Sequence, residues 1–221
     1  MPAMTDHRTR FLTLALRAQA LRFGAFTLKS GRESPYFFNA GRFDSGAALA
    51  ELAACYADAL AEAGVAFDVL FGPAYKGIPL ATAVACEFAR RGRDVPLAFN
   101  RKEAKAHGEG GTLVGAPLAG RVVIIDDVIT DGASKRESVE LIRAAGAKPA
   151  AVLIALDRME RGGDERLSAR SAVEDFTREH AVPVFAIATL SDLLQYLDSA
   201  ADPALAAHRH AVIAYRQRYG V

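Results

Sequence analysis

Residues 122 to 134 read VVIIDDVITDGAS. The first four are apolar and β-branched, and such a continuous run predicts a strand that is buried on both faces. Two carboxylates follow, Asp126 and Asp127, and then a turn containing Gly132 leads into a helical pattern. A buried strand that passes through such a turn into a helix is typical of α/β proteins with parallel sheets. Ligands bind at the carboxyl edge of these sheets, where the turn lies.

The same alternation of strands and helices continues on both sides of this stretch. The other predicted strands are 69–71, 96–99, 151–156 and 182–186. The predicted helices are 45–63, 77–90, 133–145 and 168–180, followed by two closing helices, of which the last has Pro203 in its first turn. We therefore expect an α/β fold with a mostly parallel central sheet flanked by helices, in one domain over residues 1–221.

The amino-terminal part has a different pattern. A first helix, capped by Thr5 or Asp6, is predicted to end at Gly24. Its apolar stripe consists of Phe11, Leu12, Leu14, Ala15, Ala18 and Leu21. After it, short β-type runs at 26–28 and 36–39 flank a polar turn, which predicts a hairpin-like insert.

Composition limits the classes of ligand. The chain has 51% apolar and 24% charged residues, as in ordinary globular proteins, and a net charge of +1 that predicts neither nucleic acid nor an anionic membrane as a partner. No run approaches the ~20 apolar residues of a membrane span. No signal-peptide pattern is visible either, so we expect a cytoplasmic protein. The spacing of Cys55 and Cys86 matches no metal or redox motif, which predicts buried or half-buried inert thiols.

The turn at residues 126–134, called the signature turn below, has the chemistry of a sugar phosphate site. Backbone N–H groups of residues 131–134 lie at a predicted helix start, where the helix dipole favours a phosphate. Asp126 and Asp127 would repel that phosphate but can accept hydrogen bonds from sugar hydroxyls beside it. An acidic strand end before an ordinary capped helix is the alternative interpretation.

The signature turn resembles the phosphoribosyl pyrophosphate (PRPP) signature of type I phosphoribosyltransferases, in which two acids precede a Thr-x-Gly-Thr-like turn. Two positions differ, because Asp131 replaces a small residue and Ala133 replaces the second threonine. We expect the Asp131 carboxylate to point away from the phosphate, since like charges repel. The resemblance implies PRPP contacts from Asp126, Asp127, Val128, Ile129, Thr130, Asp131, Gly132, Ala133 and Ser134.

Residues 100–111, NRKEAKAHGEGG, called the lid segment below, are polar and rich in glycine. A solvated loop without a function is one interpretation. The segment also resembles the mobile catalytic loop of orotate phosphoribosyltransferases, which implies that Arg101, Lys102, Lys105 and His107 contact pyrophosphate, partly across a homodimer interface. By the same resemblance, Tyr75 and Lys76 contact PRPP. Among these residues, Lys105 and His107 are expected to be catalytic, together with Asp126 and Asp127.

The segment FTLKSGRESPYFFNAG, residues 26–41, resembles the part of this family that contributes to orotate binding and to a small hood. It implies orotate contacts from Lys29, Phe37 and Phe38, to which Thr130 and Arg158 are added, and Lys29 is expected to contact PRPP as well. Adjacent strand residues point to opposite faces, so at most one phenylalanine ring can stack on a base. A guanidinium suits Arg158 to this role because orotate is a carboxylate. A structural salt bridge to Asp157 or Glu160 is the alternative.

The resemblance extends from about residue 11 to the end of the sequence. It implies an orotate phosphoribosyltransferase, a pentosyltransferase that makes orotidine 5′-monophosphate and pyrophosphate from orotate and PRPP in pyrimidine synthesis. Mg²⁺ is the implied cofactor, held by PRPP and water with no predicted side-chain ligand. Two alternatives remain: a purine phosphoribosyltransferase, which should lack Arg158 and the segment 29–38, and a non-catalytic PRPP-sensing regulator, which would need a nucleic-acid surface.

Overall fold

The computed structural model describes residues 6–28, 30–105, 111–129, 132–162 and 168–221, with only the backbone of residues 104, 105 and 111. Eight strands are present in these ranges: β1 Leu21–Thr27, β2 Glu33–Phe38, β3 Val69–Gly72, β4 Leu97–Lys105, β5 Gly111–Gly115, β6 Arg121–Asp126, β7 Lys148–Asp157 and β8 Val184–Thr189. The helices are α1 His7–Arg17, α2 Gly46–Glu62, α3 Gly77–Arg90, α4 Ala133–Ala144, α5 Ala172–His180, α6 Leu190–Asp198, α7 Pro203–Ala206 and α8 Arg209–Tyr219, with a 3₁₀ turn at Ala40–Arg42.

Six strands form the central sheet in the order β5-β4-β3-β6-β7-β8. Strand β3 pairs in parallel with β4 and β6, and β7 pairs in parallel with β6 and β8. Only β5, at the edge, runs antiparallel. The predicted α/β fold with a mostly parallel sheet is confirmed.

Both faces of the sheet are covered, as the continuous apolar strands predict. In β6, Val123 and Ile125 belong to one buried cluster, with side chains from α1, α2 and α3. Val122 and Ile124 belong to the other, with side chains from α4 and α5. All four are fully buried, which fixes β6 in the centre and places its carboxyl end at the middle of one sheet edge.

The hairpin of β1 and β2 forms a separate antiparallel sheet beside this body. Its inner face packs on helices: the ring of Phe38 lies 6.0 Å from Phe11 in α1, and Tyr36 meets Tyr215 in α8 edge-on at 6.0 Å. The predicted hairpin from the amino-terminal segment is therefore present and is attached to the body through aromatic contacts.

The prediction for the first helix was wrong at its end. Helix α1 stops at Arg17, and Gln19 has a left-handed backbone with φ 54° that breaks the helical path. Leu21, assigned to the helical stripe, is instead the buried first residue of β1. Leu21 was misassigned because its spacing from the apolar residues of α1 fits a helical repeat, although it is buried as part of a strand.

The predicted strand at 96–99 is also longer than expected. Strand β4 continues to Lys105, because its second half pairs with β5 and Lys105 faces Gly111. The first half of the lid segment is thus strand rather than loop. Its residues 106–110 lie outside the described residues.

Three further predictions needed correction. Helix α5 begins at Ala172 rather than 168, because Ser171 and Glu174 form a reciprocal cap there. The last predicted helix is divided: Pro203 opens the short α7, and α8 begins at Arg209. Cys86 is exposed rather than buried, whereas Cys55 is buried as expected.

None of the described helices is both long and apolar enough to cross a membrane.

Candidate active site

The carboxyl ends of β3, β6 and β7 lie side by side at one edge of the sheet. The turn after β3 packs closely on β6: a Cβ on Gly77 would lie 2.8 Å from the carbonyl oxygen of Ile125 and 2.4 Å from Cδ of Pro73. Only glycine fits this contact. The segment 73–76 is thereby held beside the signature turn, and the two predicted PRPP segments are brought together.

The signature turn leads from β6 into α4 through Gly132, which caps the helix in a left-handed conformation with φ 73°. An L side chain is strained there, so the glycine is required by the backbone. Val128 and Ile129 are half-buried against the two cores, and Ser134 lies in the first turn of α4. The amino end of α4 therefore faces the edge where the acids lie, the arrangement expected of a phosphate site.

Asp126 is held inside the protein by Lys135. The carboxylate is 5% exposed and the lysine 6%; Nζ of Lys135 lies 2.5 Å from Oδ2 of Asp126 and 2.6 Å from the carbonyl oxygen of Val128. Oδ1 accepts a hydrogen bond from the N–H of Asp127. Burial raises the pKa of Asp126, and the Lys135 charge acts against that rise.

Asp127 has a different partner. Its Oδ2 accepts a 2.9 Å hydrogen bond from Nζ of Lys76, whose side chain is 58% exposed, and its Oδ1 accepts from the N–H of Val128. The backbone carbonyl of Asp127 accepts from the N–H of Ala155 in β7, which fixes the strand end. Of the two acids, Asp127 is thus the one whose cationic partner reaches solvent and can leave it.

The segment after β3 is held by Asn100. This residue is 3% exposed, and its Oδ1 accepts a 2.8 Å hydrogen bond from the N–H of Ala74. Next to it, Tyr75 is exposed, and Nζ of Lys102 lies 5.3 Å from the centre of its ring. Nη1 of Arg101 is buried and makes no hydrogen bond to any residue that the structure describes. Lys102 of the lid segment therefore lies close to Tyr75, one of the residues predicted to contact PRPP.

The hairpin places one phenylalanine ring on each face, as expected. Phe38 is 8% exposed and belongs to the core, whereas the half-buried Phe37 packs on Phe26 at 5.6 Å on the other face. The guanidinium of Arg22 lies 5.8 Å from the Phe37 ring. Of these two phenylalanines, Phe37 is therefore the one whose ring lies outside the core.

Arg158 follows β7 at the same sheet edge and is 16% exposed. Its Nε donates a 2.7 Å hydrogen bond to Oε1 of Glu160, and its Nη2 lies 3.2 Å from Oγ of Ser34 in β2. The guanidinium stacks 4.7 Å from the ring centre of Tyr36. Burial raises the pKa of the Tyr36 hydroxyl above its ordinary range, so the ring is neutral. The predicted salt bridge is present with Glu160; Asp157 instead accepts a hydrogen bond from the N–H of Met159.

Comparison with known proteins shows the family of this chain. A family model described as a phosphoribosyl transferase domain matches residues 43–185. The chain is 64% identical over 218 residues to the orotate phosphoribosyltransferase of Xanthomonas euvesicatoria pv. vesicatoria (strain 85-10), with 98% of both chains covered. It is 63% identical over 221 residues to that of Cupriavidus necator, which covers 100% of this chain and 97% of the relative.

Among solved structures, the orotate phosphoribosyltransferase of Francisella tularensis superposes with a TM-score of 0.84 at 41% identity, covering 96% of this chain and 99% of that one. The chain belongs to the orotate phosphoribosyltransferase family. The predicted family and the predicted type I phosphoribosyltransferase fold are thereby confirmed.

Several residues that the family resemblance singled out cannot be placed. Lys29, His107, Thr130 and Asp131 lie outside the described residues, and so does the side chain of Lys105. Their roles, including the expected orientation of the Asp131 carboxylate, stay predictions.

Two residues that hold the site together were not predicted from the sequence: Lys135 and Asn100. The signal for Lys135 was available, because a lysine in the first turn of α4 sits where a phosphate-binding helix starts. Asn100 was assigned to a loop. Lys135 pairs with Asp126 of β6, and Asn100 pairs with Ala74 after β3; a local pattern does not reveal partners from other elements.

Proposed function

We propose that this protein transfers the 5-phosphoribosyl group from PRPP to orotate, giving orotidine 5′-monophosphate and pyrophosphate, in pyrimidine nucleotide synthesis. The observation that carries the proposal is the placement of Arg158 directly after β7, next to β6 with its signature turn. A sugar phosphate site and a cation for a carboxylate substrate then share one sheet edge. The names of relatives at 63–64% identity support the same reaction.

Bond breaking at the anomeric carbon builds positive charge on the ribose and negative charge on the leaving pyrophosphate. The acid pair, Asp126 and Asp127, suits the ribose side, because carboxylates accept hydrogen bonds from sugar hydroxyls and favour a nearby positive charge. Asp127 is the better placed of the two, since its partner Lys76 is largely exposed while Lys135 is buried. Orotate attacks as a stabilised anion, and no protein nucleophile is needed.

The leaving pyrophosphate calls for cations. Lys76 lies beside the signature turn, and Arg101 and Lys102 lie on β4, where the lid segment begins. We assign Lys105 and His107 to the same role. The lid segment resembles the mobile loop of this family, and in our proposal it closes over the site of the neighbouring subunit of a homodimer, where its cations would exclude water.

Mg²⁺ fits this site as a partner of the substrate. All four carboxylate oxygens of the acid pair already accept hydrogen bonds or ion pairs from Asp127 N–H, Lys135, Val128 N–H and Lys76. Because these oxygens are occupied, Mg²⁺ would be held by the diphosphate oxygens and water, as expected for Mg²⁺ at phosphates, and Asp127, whose partner Lys76 is exposed, is the side chain that could assist. When bound, the metal would neutralise charge on the diphosphate.

One assay tests the proposal. The loss of orotate absorbance is followed on adding PRPP and Mg²⁺, with adenine, hypoxanthine and uracil as alternative acceptors. We expect turnover with orotate and little with the other bases, because they lack the carboxylate that suits Arg158. Turnover of a purine base instead of orotate would reject the proposal, and so would the absence of any turnover.

A further inference from the structure

The residues around Arg158 engage one side of its guanidinium. Glu160 accepts from Nε at 2.7 Å and lies 2.6 Å from Nη2, while Ser34 contacts Nη2 at 3.2 Å. Nη1 makes no hydrogen bond within the described part of the chain. A guanidinium can bind a carboxylate through the Nε and Nη2 edge or through the Nη1 and Nη2 end, and Glu160 occupies the first of these.

The position of Glu160 is fixed in turn by the carboxyl-terminal helix. The hydroxyl of Tyr215, in α8, donates a 3.0 Å hydrogen bond to the same Oε1 that holds Arg158. Burial, followed by the Glu160 charge, raises the pKa of Tyr215 to about 12, so this hydroxyl keeps its proton at neutral pH. Tyr215 also packs edge-on against Tyr36, the ring on which Arg158 stacks.

The backbone strengthens this connection. Glu160 and Gly220 form an antiparallel bridge, and the N–H of Arg161 donates to the carbonyl of Tyr219 at 2.8 Å. Nε of Arg161 donates to the carbonyl of Gly220 at 3.0 Å. The segment after β7, which contains Glu160, is therefore bonded directly to the end of α8.

We propose that Glu160, held by Tyr215, is a positioning residue that turns the Nη1 end of Arg158 toward the substrate carboxylate, so that α8 contributes to selectivity for an acidic base. This inference rests on the proposed function. Glu160 touches no substrate in this scheme; it acts by restricting Arg158 to one orientation. Preorganised cations bind a carboxylate more tightly than mobile ones, because less side-chain entropy is lost on binding.

The test compares Glu160→Ala, Glu160→Gln and Tyr215→Phe in the full chain, with Arg158→Lys as the reference. We expect Glu160→Ala to raise the KM for orotate about tenfold, the effect of losing one charged hydrogen bond, and Tyr215→Phe about threefold, the effect of losing a neutral one. The KM for PRPP should stay unchanged. The inhibition constant of uracil, which has the same ring without the carboxylate, should also stay unchanged.

Two control variants remove similar bonds elsewhere. Tyr196→Phe deletes a tyrosine hydroxyl that pairs with Thr13, and Glu51→Gln removes a carboxylate paired with Arg17. Both should leave the KM for orotate unchanged.

Three results would overturn the inference. In the first, Arg158→Lys raises the KM for orotate while all Glu160 and Tyr215 variants leave it unchanged; this outcome rejects the inference and retains the proposed function. In the second, the Glu160 and Tyr215 variants raise the KM for orotate, the KM for PRPP and the inhibition constant of uracil together, and they lower the unfolding temperature. This outcome indicates that Glu160 and Tyr215 have a structural role alone. In the third, the unaltered protein does not consume orotate, which rejects the proposed function as well.

Discussion

The ammonium group of Lys135 lies 2.5 Å from Oδ2 of Asp126, and both side chains are buried. Removing the cation leaves a carboxylate without its partner, and breaking a buried pair in this way costs about 3–5 kcal/mol. We therefore expect Lys135→Met to lower the free energy of unfolding by that amount in urea titrations. The exposed Lys148→Met is the control and should change little. The double variant with Asp126→Asn should recover much of the loss; a single variant as stable as the parent would contradict this expectation.

The same pair predicts a pH dependence. Burial raises the pKa of Asp126, while Lys135 holds it down. When a carboxyl pKa is raised in the native state, ionisation weakens the fold as the pH rises above the ordinary value of about 3.9 and through the native pKa. Without Lys135 the native pKa lies higher still, so the instability of Lys135→Met should be largest near neutral pH and should shrink as the pH falls toward that value. Urea titrations across this range measure it, and a difference that stays constant or grows on acidification would contradict the assignment.

Gly132 provides a test of the phosphate cradle. Its φ of 73° makes Gly132→Ala strained, at a cost of about 1–2 kcal/mol. An added Cβ would also lie 3.3 Å from Nη1 of Arg136, at the start of the helix that is proposed to bind phosphate. We expect a lower unfolding free energy together with a raised KM for PRPP.

Gly146 is the matched control because it lies at the other end of α4. Its φ is 80°, and an added Cβ meets no atom within 4 Å. Gly146→Ala should lose similar stability while the KM for PRPP stays unchanged. If both variants raise the KM equally, the effect of Gly132→Ala comes from helix stability and not from the cradle.

The parts of the site that sequence reasoning could predict are local ones. The path from β6 through the signature turn into α4 depends on residues that adjoin in the chain, and helix α3 has the predicted bounds 77–90. The extension of β4 depends on its pairing with β5, and the burial of Lys135 depends on Asp126, which is held by a different element. A pattern of apolar spacing carries no information about such non-local partners.

Asn100 shows how one non-local bond bears on function. Asn100→Ala removes the acceptor of the Ala74 N–H in the segment that carries Tyr75 and Lys76. We expect a loss of about 1–3 kcal/mol in unfolding free energy, since a buried group loses its partner, and a raised KM for PRPP. The control is Asp68→Ala, which removes the acceptor of the Arg121 N–H at the opposite edge of the sheet. An unchanged KM for PRPP in Asn100→Ala would show that the turn does not need this bond.

Lys105 is expected to act in catalysis without supporting the fold. Lys105→Ala should lower kcat about a hundredfold, as for other groups that stabilise developing negative charge, with an unchanged unfolding temperature. The exposed Lys148→Ala is the control for both measurements. A loss of stability that parallels the loss of turnover would reject a catalytic role for this lysine.

The proposed sharing of the lid segment between subunits can be tested by mixing two impaired variants, Lys105→Ala and Arg158→Ala, and allowing their subunits to exchange. If Lys105 serves the neighbouring subunit, a hybrid dimer has one site with both residues intact and one site with neither. About a quarter of the unaltered activity should then return, because half of the dimers are hybrids with one working site. If Lys105 serves its own subunit, every site in the hybrid lacks one residue and mixing restores nothing. Recovered activity would therefore show that the protein is a dimer and that the lid segment of one subunit serves the site of the other. If exchange is verified and no activity returns, the lid segment serves its own subunit.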